Sequence, residues 1–120
     1  MKPSIRTWAC AVPLAVASPG LMAHPALLSS APDQGVTLEA SPREMLLQFT
    51  EAIEPSFSSI TLVDPSGKEH QISTGHTDKQ SARVVSFALP ILTAGAYRAY
   101  WSALGRDGHR VKGVVSFSVK

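Results

Sequence analysis

The sequence contains only one cysteine, Cys10, which lies close to its start. A single cysteine cannot form a disulfide within the chain. The leader described below nevertheless predicts export to a compartment in which disulfides persist. We therefore expect the domain to be stabilised by the packing of its apolar core alone.

Long apolar runs and an excess of charge of one sign are also missing. The formal net charge is only +2, and loss of Lys2 and Arg6 with the leader would leave equal numbers of basic and acidic residues. A neutral domain is poorly suited to binding nucleic acid or an anionic membrane. The apolar run Trp8 to Ala17 is too short to span a bilayer.

The first 23 residues have the pattern of a secretory signal peptide. Lys2 and Arg6 precede the apolar run, and small residues follow it. Cleavage after Ala17 and cleavage after Ala23 both satisfy the local rules, and the chemistry of the next residue favours Ala23. Cys10 lies inside the apolar run and not after it, which argues against a lipoprotein. We expect a signal peptide over 1–23 and one exported, periplasmic domain over 24–120.

The remainder of the chain predicts an all-β fold. Short segments with alternating apolar residues are separated by turn residues, and no helical periodicity or repeat is present. The predicted strands are 26–28, 45–49, 59–63, 69–73, 84–89, 97–103 and a last strand through Val115, Phe117 and Val119, with polar loops at 50–55, 74–81 and 105–113. This spacing is typical of a small antiparallel Greek-key sandwich or barrel. Tyr97 is expected to form a tyrosine corner, and Trp101 is expected to anchor the core.

A cut after Ala23 would make His24 the first residue. A terminal histidine offers a metal its α-amine and its ring Nδ1, and Pro25 has no N–H for the competing arrangement through deprotonated amides. The other ligands must then come from elsewhere, and Asp107 and His109 offer them at close spacing, with both side chains on one side if the backbone is extended. Three nitrogens and one oxygen suit tetragonal Cu(II).

These residues resemble the CopC-type periplasmic copper-binding proteins. The resemblance covers nearly all of residues 24–120. It runs through His24-Pro25-Ala26-Leu27, Ser29-Ser30-Ala31-Pro32, Leu47-Gln48-Phe49-Thr50-Glu51, Leu92 to Tyr97, Trp101-Ser102, Asp107-Gly108-His109 and Gly113 to Phe117. It implies a cupredoxin-like Greek-key β-barrel that binds one Cu(II) through His24, Asp107 and His109. It also implies that Glu51 lies beside the metal without binding it and accepts a hydrogen bond from the amine.

One departure from the family concerns methionine. Some members carry a methionine-rich loop that binds Cu(I), which prefers thioether ligands. The corresponding stretch here, 68–81, has no methionine, and Met45 on a predicted inward face is expected to fill the core. His70 and His76 occupy that stretch; they could form a weak second site, although two solvent-facing histidines are the simpler interpretation. We therefore expect no Cu(I) methionine site.

The resemblance implies copper sequestration, homeostasis or delivery by a monomer, with a CopD-type inner-membrane copper transporter as partner. Arg106, Arg110 and Lys112 surround the Asp107–His109 loop and could be simply solvated or could dock an acidic surface. One alternative is an enzyme, a histidine-brace copper monooxygenase. Asp107 in the metal plane and the small size of the domain argue against it. Another is a metal-free Ig-like interaction module, which would leave His24 and the Asp-x-His triplet unexplained.

Overall fold

The structure is a computed structural model that describes residue 4 and residues 24–120. The predicted signal peptide, Cys10 and both candidate cut sites therefore lie outside the described residues, apart from Ser4 within the leader.

Residues 24–120 form two β-sheets and no helix. The strands are β1 (Leu27–Ala31), β2 (Thr37–Leu38), β3 (Glu44–Phe49), β4 (Ile53–Val63), β5 (Glu69–Ile72), β6 (Gly75–Asp78), β7 (Ser81–Ala88), β8 (Gly95–Gly105) and β9 (Arg110–Val119). One sheet has the order β1-β3-β7-β6 and the other the order β2-β9-β8-β4-β5. The pairs are antiparallel except for the parallel pair β2–β9. The predicted all-β sandwich is confirmed.

The apolar face of each sheet is buried against the other, as the period-two alternation predicts. Buried residues include Met45, Leu47, Phe49, Ile60, Leu62, Val85, Phe87, Ala99, Trp101, Val115, Phe117 and Val119. Met45 is completely buried, which confirms its role as core filler. The Trp101 indole packs edge-on against Phe49 at 5.3 Å between ring centroids. Trp101 therefore anchors the core, as its position in the alternating strand predicts.

The predicted tyrosine corner is present at the start of β8. The Tyr97 hydroxyl donates a hydrogen bond of 2.6 Å to the carbonyl oxygen of Thr93. The buried ring stacks on Phe117 of β9 at 5.6 Å between centroids. These contacts fix the irregular segment before β8 to the sandwich.

Three predicted loops are wrong in part. The stretch 74–81 contains β6, which pairs with β7 through a tight turn, because an edge strand needs backbone partners and tolerates polar side chains. The stretch 50–55 ends in β4, which begins at Ile53 and bulges between Glu54 and Ser59. The loop predicted over 105–113 is shorter, since β8 and β9 continue to Gly105 and from Arg110.

The described part of the chain contains no helix with the length and apolarity needed to cross a membrane.

Candidate metal centre

Asp107 and His109 lie in the tight turn that joins β8 to β9. The Gly105 N–H donates to the carbonyl oxygen of His109 at 2.8 Å, and the Gly108 N–H donates to Gly105 at 3.0 Å. Gly108 has a φ of 89°, in the left-handed region that glycine adopts at little cost. The two side chains meet because the chain turns here. The prediction attributed the closeness of the two side chains to an extended backbone, and that reason is wrong.

The Asp107 carboxylate contacts His109 through both oxygens. Its Oδ1 accepts the backbone N–H of His109 at 3.0 Å, and its Oδ2 lies 2.9 Å from the ring Nδ1. The backbone hydrogen bond, then the ring contact and the nearby imidazoles hold the pKa of Asp107 below its usual value. A carboxylate at Nδ1 favours the tautomer with its proton on that nitrogen, which leaves Nε2 free to bind a metal.

The segment before β1 is attached to the same end of the sandwich. The Ala26 N–H donates to Thr50 Oγ1 at 2.9 Å, and the Thr50 N–H returns a bond of 2.9 Å to the Ala26 carbonyl oxygen. Pro25 is fully buried. His24, the next residue towards the start, is consequently held beside the β8–β9 turn.

His24, Asp107 and His109 converge on one point. One ligand atom from each lies within 4.8 Å of the other two. The two imidazoles meet edge to face, with ring centroids 4.5 Å apart at an angle of 85°. The side chains of Asp107 and His109 are 35% and 38% exposed, so the cluster is open to solvent. Two imidazoles and a carboxylate within this distance suit Cu(II), which prefers imidazole and also accepts oxygen ligands.

The other predicted residues lie apart from this cluster. Glu51 is half-buried just after β3 and is not in the group of close ligand atoms formed by the described residues. His70 lies on β5 with its Nε2 3.0 Å from Asp64 Oδ2, whereas exposed His76 lies on β6 of the other sheet. His70 thus has a carboxylate partner and is not simply solvated.

The cations near the turn differ in their contacts. Arg106 Nε lies 3.5 Å from the Glu54 carboxylate. Arg110 Nη1 donates to the carbonyl oxygen of Phe57 at 2.9 Å and to Ser102 Oγ at 2.7 Å, which ties the β4 bulge to the residue after His109. The Phe57 side chain is 62% exposed. Sequence reasoning does not single out Phe57, because the alternation of β4 fails at the bulge and gives no signal for it.

Comparison with known proteins identifies the family and supports the fold. The family model described as the CopC domain matches residues 27–120. The chain belongs to the CopC family. The structure of CopC from Methylosinus trichosporium OB3b superposes with a TM-score of 0.75 at 30% identity, covering 81% of this chain and 94% of that one.

Other CopC relatives carry copper in their names. Copper resistance protein C of Pseudomonas syringae pv. tomato is 37% identical over 107 residues, with 82% of each chain covered. PcoC of Escherichia coli, described as a methionine-rich copper resistance protein, has a TM-score of 0.65 at 28% identity and covers 82% of this chain and 100% of that one. Copper transport protein CutJ of Bacillus subtilis is 29% identical over 98 residues, which are 81% of this chain but 18% of CutJ.

CopC proteins are copper-binding resistance proteins and not enzymes. The histidine-brace monooxygenase alternative is therefore set aside.

Proposed function

We propose that residues 24–120 are an exported, monomeric periplasmic domain that binds one Cu(II) at His24, Asp107 and His109. The observation that carries the proposal is the convergence of the three ligand atoms within 4.8 Å, from two segments far apart in the sequence. Copper is the cargo of the site. Cleavage after Ala23 would add the α-amine of His24 as the fourth donor.

The decisive experiment combines intact mass with copper titration of the protein exported by its host. We expect a mass corresponding to residues 24–120 and one tightly bound Cu(II) per chain. A chain that starts at Ser18 would lack the amine ligand and would contradict the proposed ligand set. The Glu51 carboxylate would lie outside the ligand set, so Glu51→Gln should weaken binding less than loss of any ligand.

No comparably tight Cu(I) site is expected. Residues 24–120 contain one methionine, Met45, and it is fully buried in the core. Soft thioether ligands for Cu(I) are therefore out of reach of solvent. Competition with a Cu(I) chelator should reveal no tight second copper, and a tight Cu(I) site would contradict this part of the proposal.

We further propose that the domain delivers copper to an inner-membrane transporter of the CopD type. The copper transport protein CutJ contains the matching segment within a much longer chain, which supports this part of the proposal. The face beside the turn presents the exposed Phe57 side chain and Arg110, which donates to the Phe57 carbonyl oxygen, and the exposed Lys112 follows two residues later on β9. Cations around an apolar side chain suit an acidic surface with an apolar patch.

Copper entry into host cells tests delivery. Lys112→Glu should reduce copper uptake and leave Cu(II) affinity in solution unchanged, because Lys112 lies outside the ligand cluster. Lys79→Glu, an exposed cation on the β6–β7 turn of the other sheet, is the matched control and should leave uptake unchanged. Equal uptake in all three proteins would favour storage or sequestration over delivery.

A further inference from the structure

Gly105 ends β8 at the point where the two halves of the ligand cluster meet. A Cβ placed on this residue would lie 2.6 Å from Asp107 Oδ1, 2.9 Å from Pro25 Cγ and 3.2 Å from Pro25 Cδ. The first two distances are too short for any real side chain. The backbone of Gly105 lies outside the left-handed region, so space and not conformation demands glycine here.

The contact with Gly105 determines where His24 lies. Pro25 is fully buried and its ring packs directly on Gly105, while Ala26 is already paired with Thr50. The chain therefore reaches His24 from a fixed proline ring. Moving that ring by even a fraction of an ångström would move His24 relative to the Asp107–His109 turn.

We infer that Gly105 is a positioning residue for the metal, an inference that rests on the proposed Cu(II) site. By lacking a side chain it admits the Pro25 ring and the Asp107 carboxylate to the same spot. The His24 and His109 rings are thereby held 4.5 Å apart before metal binds. Such preorganisation raises affinity because little ordering remains to be done upon binding.

The test uses Gly105→Ala in the exported protein, with and without copper. In the metal-free protein, NMR cross-peaks between the His24 and His109 ring protons should weaken or disappear. Cu(II) affinity, measured by competition titration, should fall by about 10- to 100-fold, the range typical when groups that orient metal ligands are lost. The EPR spectrum should change because the ligand geometry changes.

Gly113→Ala provides the matched control. A Cβ there would lie 2.4 Å from Trp101 Cζ2, an overlap at least as severe, but it faces the core on β9 and away from the cluster. We expect lower stability in this variant, with the ring cross-peaks, the EPR spectrum and the Cu(II) affinity retained.

If the Gly105→Ala protein kept both the ring cross-peaks and the wild-type Cu(II) affinity, the inference would be overturned. An equal loss of affinity in both variants would also overturn it, since general strain would then explain the result. If wild-type protein bound no Cu(II), the proposed function would fail, yet the metal-free cross-peaks would still decide whether Gly105 positions His24. Should Gly105→Ala not fold, Pro25→Ala removes the same ring contact without adding atoms, and the cross-peaks should again be lost.

Discussion

The Asp107 carboxylate can act in two distinct ways. Without metal it accepts the His109 backbone N–H and contacts the ring Nδ1, which orients the imidazole with Nε2 available. As a ligand it would contribute an oxygen that is already ionised, because its pKa is lowered by the same hydrogen bonds. Removal of the carboxylate would therefore affect both the donor set and the orientation of His109.

Substitutions at the two turn residues separate these contributions. Asp107→Ala should weaken Cu(II) binding by at least ~10-fold and change the EPR spectrum. His109→Ala should weaken binding further, because copper favours imidazole nitrogen over carboxylate oxygen. Competition titrations measure both affinities. His76 is an exposed histidine on β6, and His76→Ala is the control. Neither His76→Ala nor His70→Ala should change the Cu(II) affinity by much. An EPR spectrum unchanged by Asp107→Ala would show that Asp107 is not a ligand.

Asp64, a second aspartate with several hydrogen-bond donors, is expected to contribute stability that is lost in acid. Asp64 accepts hydrogen bonds from the Ser66 hydroxyl and N–H and from the Lys68 N–H, and its Oδ2 contacts His70. The Ser66 hydroxyl and then His70 hold the pKa of Asp64 far below its usual value. Since the folded pKa is depressed, the carboxylate stabilises the fold above its unfolded pKa of about 3.9, and this stabilisation is lost as the pH falls.

Asp64→Asn should therefore unfold at lower urea concentration than wild type at neutral pH. The difference between the two proteins should shrink as the pH falls below about 4. Asp78→Asn, in a turn where the carboxylate accepts one backbone hydrogen bond, is the control and should have a smaller effect. A difference that stayed constant down to pH 2 would show that Asp64 is not responsible.

The β8–β9 hairpin is the element that links the core to the cluster. Its inward face carries Tyr97, Trp101 and Phe117 into the sandwich, and its turn carries Asp107 and His109 out of it. The tyrosine corner fixes one end of β8, and the cluster of candidate ligands lies at the other. Stability and copper binding should consequently be separable along this hairpin.

Tyr97→Phe tests that separation. The change removes the hydrogen bond to Thr93 but keeps the ring on Phe117, so the free energy of unfolding should fall by about 0.5–1.5 kcal/mol. Chemical unfolding measures the loss, and Cu(II) affinity should be unchanged. Tyr100→Phe, with a half-exposed ring, should cost less than ~0.5 kcal/mol. Equal losses in the two variants would mean that the corner does not stabilise the fold.

The sandwich brings together residues near the two ends of the described chain. The β1–β3 pairing and the buried Pro25 hold the early segment, and the β8–β9 turn presents the late one. Copper binding at such a site would connect both segments and both sheets. Saturating Cu(II) should therefore raise the unfolding temperature of the domain.

Copper affinity should depend on pH throughout the neutral range. Imidazoles ordinarily lose their proton near pH ~6.5 and free α-amines near ~7.7–8, and copper competes with those protons. Apparent affinity should therefore fall steadily from pH 8 to pH 5, as measured by competition titration at each pH. An affinity that stayed flat over this range would mean that these groups are not the ligands.

The sequence was sufficient to predict the sandwich and most of the residues in its core, but not Ile53, which lies in the predicted loop 50–55 and is fully buried. Alternation in 45–49 and 97–103 indicates which faces are buried, because side chains on a strand leave it on alternate sides. Alternation did not predict β6, because this strand has polar side chains and is defined by its backbone pairing. It also did not predict the β4 bulge, where the alternation is interrupted.

From the sequence, His24, Asp107 and His109 could be named as candidate donors, because residue type fixes donor chemistry. That these residues meet, that Asp107 contacts His109 Nδ1 and that Gly105 must lack a side chain became evident in the folded chain. Residues far apart in the sequence are brought together here. The space at Gly105 is limited by Pro25, which arrives from the other end of the domain, and no local pattern around Gly105 records that contact.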